Sequence, residues 1–131
     1  MDDRPYFRPA ALDGLLADAT HLGFALSCED RTGSLLATLA ESKPRGHLVE
    51  LGTGVGAGAS WLLHGMHPDA RLTSVEMNPA HQAVAAEHLG HDTRVSFVTA
   101  DADAWLDSYA GLLSRSPTST AARESSTAWT T

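Results

Sequence analysis

Three glycines, Gly52, Gly54 and Gly56, stand in "LVELGTGVGAG" (48–58), between a short apolar run and a stretch with helical spacing. Lacking Cβ atoms, they permit a tight turn and let a ligand touch the main chain, while free N–H groups at a helix start favour an anionic or carboxylate-bearing group. Two acids stand where they could take the rest of such a ligand. Glu76 ends the next apolar run, twenty residues beyond Gly56, the place from which a carboxylate accepts hydrogen bonds from both hydroxyls of a ribose. Asp101 ends the run after that, where it could take the exocyclic amine of an adenine. The plainer reading of the glycines is a strand-to-helix turn without a ligand, and of each acid a solvated strand end or a helix cap.

Glu50 bears on which ligand this would be. "GTGVGA" (52–57) satisfies the G-x-G-x-x-A form of the dinucleotide fingerprint, in which the helix start holds a pyrophosphate. An acid two residues before the first glycine would repel that group. It suits instead a ligand with an ammonium or sulfonium cation, and S-adenosylmethionine carries both together with an adenosine. A fragment of an NAD(P)-dependent oxidoreductase is the alternative enzyme reading, and a noncatalytic remnant or interaction module the alternative outside enzymes.

Stepping outward, the elements that must carry these residues alternate. Leu12, Leu15, Leu16 and Ala19 predict an amphipathic helix within 10–22, "SCEDRTG" (27–33) a turn with a cap, and "SLLATLAES" (34–42) a second helix ended by Lys43-Pro44-Arg45-Gly46. Then "HLVEL", "RLTSVE" and "RVSFVTA" read as strands, each followed by a helix: "GASWLLHGM", a segment capped by Asn78 and started by Pro79 with Gly90 at its end, and "ADAWLDSY". Strands and helices in that order predict an α/β, Rossmann-like parallel sheet with flanking helices and about three strands. The chain divides into an N-terminal helical segment (1–46), a half-domain around the glycine loop (47–111) and a tail (112–131). Ten of the tail's twenty residues are Ser or Thr, a composition that predicts disorder.

Composition narrows the partners. With 131 residues and a formal net charge of −7, the chain has no basic surface for nucleic acid or anionic membranes. Cys28 is the one cysteine, so no disulfide forms within the chain. No apolar run reaches membrane-spanning length, and "MDDRPYFRPA" lacks the layout of a signal peptide. These features together predict a cytoplasmic protein.

Residues 48–109 resemble the first half of a class I S-adenosylmethionine-dependent methyltransferase. The E-x-G-x-G-x-G pattern from Glu50 to Gly56 is similar to that family's first motif. The resemblance implies that Gly52, Thr53, Gly54 and Gly56 hold the methionine end, with Glu50 meeting its ammonium directly or through water. Glu76 in "LTSVEMNP", with Met77 beside it, is implied at the ribose, and Asp101 and the Ala102 amide at the adenine. "SCEDRTGSLLATLAESKP" is similar to the first helices of catechol-type O-methyltransferases, which implies a small-molecule methyl acceptor and a cofactor contact at Cys28 and Glu29.

The resemblance stops near Tyr109–Gly111, before the strand that would pair with the other side of "HLVEL". That predicts an apolar sheet edge open to self-association. A truncated or frame-shifted product is the reading that follows, and an acidic fourth strand in another reading frame of the coding DNA would support it. No catalytic base is assigned, and no metal ligands: His64 and His67 lack a third partner, His81 and His88 read as solvated, and Asp101, Asp103 and Asp107 lack the pattern of a calcium loop. Trp61 and Phe97 read as core. Trp105 reads as packing, with the adenine ring as its sharper alternative.

Overall fold

Parallel strands cannot be joined by tight turns, so a sheet built from the three apolar runs requires a helix across each connection. The computed structural model describes residues 7–24, 28–115 and 126–130. In chain order the elements are α1 (Leu12–His21), α2 (Asp30–Glu41), β1 (His47–Leu51), α3 (Ala57–Gly65), β2 (Arg71–Glu76), α4 (Pro79–Leu89), β3 (Val95–Thr99), α5 (Ala102–Arg115) and β4 (Ser126–Thr130). The strands pair in the order β3-β2-β1-β4, all parallel.

Register aligns Leu48 with Leu72, and Leu72 with Val95, along one face of the sheet. Leu48 and Leu72 enter a single core with Leu12 and Leu15 of α1, Leu36 of α2, Trp61 and Leu62 of α3 and Leu89 of α4, and Val95 packs against it. Each of these wholly buried large side chains contributes about 2 kcal/mol of transfer free energy. The N-terminal helices thus share the core of the glycine-loop half. A hydrogen bond of 2.6 Å between His88 Nε2 and Asp18 Oδ2 ties α4 to α1.

Two local devices fix the helices around the loop. Asn78 caps α4, its Oδ1 accepting from the Ala80 and His81 amides at 2.9 and 3.4 Å, with Pro79 as the first helical residue. Helices α2 and α3 lie against each other through glycines. A Cβ on Gly33 would overlap the Trp61 indole, and one on Gly65 would overlap the Ala37 carbonyl. Farther along, Arg94 donates to the Met66 and Leu63 carbonyls at 2.6 and 3.0 Å while Asp92 holds its guanidinium at 2.7 Å. That contact ends α3 and starts β3 together.

The structure differs from the sequence reading at three boundaries. Helix α2 begins at Asp30, so most of the expected turn is helical, and α5 continues to Arg115. The tail is not without structure throughout, since Ser126–Thr130 pairs with β1 from His47↔Ser126 to Leu51↔Thr130. Residues 116–125 and Thr131 lie outside the described residues. A central strand offers unpaired N–H and C=O groups on its second side, and Thr and Trp suit a strand though they form no apolar run. With β4 in place β1 is paired on both sides. No helix among the described residues is long and apolar enough to cross a membrane.

Candidate functional site

The ends of β1 and β2 lie side by side, with Leu51 opposite Val75. At that point the chain turns back through the glycine loop, whose Gly52, Gly54 and Gly56 have φ of 87°, 55° and 104°. Those left-handed values are costly for any residue with a Cβ, so backbone geometry alone accounts for all three glycines. The loop is pinned to β2: the Gly52 and Thr53 amides both donate to the Val75 carbonyl, at 2.8 and 3.1 Å. Helix α3 starts from Gly56 with no side-chain cap, which leaves its first-turn amides without the partner that a Ser or Asp would supply.

Glu76, at the end of β2, reaches back across the loop. Its Oε2 accepts from the Gly54 amide at 2.8 Å and its Oε1 from the Asn78 amide at 3.0 Å. The same side chain thus fixes the loop and the start of the α4 cap. Met77, next in the chain, is 71% exposed.

Glu50 has the opposite environment. It has no exposed surface, its Oε2 accepts from Ser74 Oγ at 2.6 Å, and its Oε1 has no hydrogen-bond partner. Burial pushes its carboxyl up to about 7, the charge of Glu76 pushes the same way, and the Ser74 hydrogen bond opposes both. Ser74 Oγ also lies 2.6 Å from Thr53 Oγ1, so a line of buried oxygens runs from Glu50 to the glycine loop.

Asp101 lies two residues beyond β3. Its Oδ1 accepts from the Ala104 amide at 3.0 Å and its carbonyl from the Trp105 amide at 2.9 Å, so it caps α5, whose first residue is Ala102. The side chain is exposed at the same edge of the sheet, and the Ala100 amide bonded to the Glu76 carbonyl at 3.0 Å joins the two strand ends. Cys28 is half-buried against the core, and burial raises its thiol, with the charge of Glu50 adding to the effect. Glu29 is exposed as the first flank of α2.

Glu50, Gly52, Thr53, Gly54, Gly56, Glu76, Met77, Asp101 and Ala102 therefore lie at or just beyond the carboxyl ends of three neighbouring strands, the crevice position in an open α/β sheet. Trp105 stacks on Tyr109 at 4.9 Å, and Tyr109 meets His47 at the start of β1, edge-on at 6.2 Å, which is the packing role. Among the described residues no three His, Cys, Asp or Glu side chains group around a metal position.

Three residues escaped the sequence reading. Ser74 and Gln82 belong to the buried polar layer, Gln82 Nε2 donating to the Ser74 and Val98 carbonyls at 3.2 and 3.0 Å. Phe24 lies against the loop, its Cζ 2.8 Å from where a Cβ on Gly54 would stand, with His81 edge-on to its ring at 4.8 Å. A hydroxyl two residues before a strand-end acid, level with Glu50, was the available signal for Ser74. Phe24 had none, because its position depends on how α1 packs.

No family model matches the chain. A Mycobacterium sp. (strain KMS) protein named "Putative O-methyltransferase" is 42% identical over 55 residues, 42% of this chain and 25% of that protein. A Mycobacterium bovis protein of the same name is 36% identical over 76 residues, 58% of this chain and 34% of that protein. Among solved structures, the O-methyltransferase TomG from Streptomyces achromogenes, in complex with SAM, superposes with a TM-score of 0.72 at 25% identity over 86% of this chain and 50% of its own. The Bacillus cereus O-methyltransferase in complex with SAH shares the fold, with a TM-score of 0.72 at 19% identity over 81% of this chain and 50% of its own. The chain thus spans about half the length of these solved structures, and its matches cover a quarter to a third of the two curated relatives.

Proposed function

We propose that residues 47–111 form the S-adenosylmethionine-binding half of an O-methyltransferase whose acceptor is a small hydroxylated molecule. The observation that carries this reading is the Glu50 carboxyl, wholly buried, with one oxygen unpartnered, just before a loop of three left-handed glycines. A buried carboxylate calls for a countercharge, and the ammonium and sulfonium of S-adenosylmethionine supply it. Around that centre the loop residues Gly52, Thr53, Gly54 and Gly56 would take the methionine end, Glu76 with Met77 the ribose, and Asp101 with the Ala102 amide the adenine. Bound there, the cofactor supplies a methyl group on a positively charged sulfur. The residues of this chain bind and orient it, and a cytoplasmic setting accords with the single cysteine.

A dinucleotide is the poorer fit, since its pyrophosphate would stand close to the Glu50 carboxylate. Calorimetric titration with S-adenosylhomocysteine and separately with NAD+ tests the choice. Saturable binding of the first alone, lost in Glu76→Ala, is the expected result. A folded chain that binds neither ligand, or prefers NAD+, would overturn the proposal.

A further inference from the structure

The buried line of oxygens behind the loop has a middle member whose role follows from proton counting. Ser74 is wholly buried on β2, level with Glu50, and its single hydroxyl stands 2.6 Å from both Glu50 Oε2 and Thr53 Oγ1. A hydroxyl donates one hydrogen bond, and an ionised carboxylate only accepts. With Glu50 ionised, Ser74 must therefore donate to Glu50, and Thr53 must donate to Ser74. With Glu50 protonated the chain can run in reverse, freeing the Thr53 proton. The charge on a residue with no exposed surface is in this way expressed in the glycine loop. Gln82 holds the Ser74 main chain in place from α4, through the bond of 3.2 Å to its carbonyl.

We propose that Ser74 is a positioning residue of the cofactor site, its hydroxyl locking Glu50 and Thr53 into one hydrogen-bonded unit that carries the charge state of Glu50 to the glycine loop. The inference rests on the cofactor reading above. It explains how Glu50 acts on a ligand from a position without solvent contact, and it assigns a role to the buried hydroxyl of β2. Two other titratable groups act on Glu50 or respond to it: Glu76 on β2 and Cys28 on the segment before α2. Both stay unchanged in the variants below, so differences between variants belong to Ser74.

The test uses the full chain in three forms, wild type, Ser74→Ala and Ser74→Thr. Each is read by carbon-13 NMR titration of the Glu50 carboxyl and by calorimetry with S-adenosylhomocysteine at pH 8. In Ser74→Ala the Glu50 carboxyl should titrate at higher pH than in wild type, and affinity should fall about tenfold, the scale of one hydrogen bond to a charged group. Ser74→Thr, which keeps the hydroxyl, should restore both. Wild-type affinity in Ser74→Ala overturns the positioning role while leaving the cofactor reading intact, whereas a wild-type chain that binds nothing removes both. Should Ser74→Ala fail to fold, Thr53→Val cuts the same chain from the loop side. The same loss of affinity is then expected, and unchanged affinity overturns the role.

Discussion

Glycine serves two regions of this chain for different physical reasons. Between α2 and α3, Gly33 and Gly65 are needed for what they lack in volume, since a single methyl at either would overlap Trp61 or the Ala37 carbonyl. In the loop after β1, Gly52, Gly54 and Gly56 are needed for the left-handed backbone they allow. One region uses its glycines for close helix packing and the other for a tight turn at the strand end. Stability and ligand affinity should therefore come apart when the two are altered separately.

The largest effect is expected at the helix pair. Alanine is the better helix former by about 1 kcal/mol, yet in Gly65→Ala the overlap with α2 backbone should outweigh that gain and destabilise the chain by about 3 kcal/mol. Urea denaturation would read the loss, and calorimetry should find affinity for S-adenosylhomocysteine retained in the folded fraction. Equal losses of both would break the contrast.

Of similar size, but confined to high pH, is the effect of the buried acid. The Glu50 carboxyl is raised in the folded chain, from 4.5 to about 7, so its favourable share of stability is fully present below about pH 4.5 and is lost as pH rises through 7. The total is on the order of 3 kcal/mol from the linkage of pKa to folding. Glu50→Gln should then melt at higher temperature than wild type at pH 8, with the difference vanishing toward pH 5, while its affinity for the ligand falls. A flat difference across that range would sink the account.

The smallest stability effect with the sharpest functional one belongs to Gly54→Ala. Its φ of 55° costs a residue with a side chain about 1 kcal/mol, and the new methyl presses on the ring of Phe24, which can shift. Melting should drop by a few degrees, whereas binding should be lost as the strained loop shifts and loosens the Gly54 amide from Glu76. A variant that melts like wild type and binds normally would show that the glycine serves only the turn.

Much of this was legible before any coordinates. The bounds of β2, the Asn78 cap with Pro79 and the strand-end position of Glu76 all follow from local chemistry that a sequence displays directly, whereas Asp101, expected at the end of the third strand, lies beyond β3 and caps α5. What was hidden depends on contacts between distant segments. Ser74 in "RLTSVE" looks like any half-polar strand residue until register sets it level with Glu50. Phe24 reaches the loop only because α1 packs where it does. Segment 126–130 looked like tail because strand pairing needs a partner edge, and the edge of β1 is not visible from within those five residues.

The grip of Glu76 on the loop has a consequence in simple valence. A carboxylate has about four lone-pair positions, and the Gly54 and Asn78 amides occupy one on each oxygen. Each oxygen keeps acceptor capacity beyond that amide, and the two amides fix the orientation of the carboxylate. Two neighbouring hydroxyls would each find an acceptor there, whereas a sugar missing one of them would donate to a single oxygen. On the proposed reading, the Gly54 and Asn78 amides would set the number of donors that Glu76 could still take.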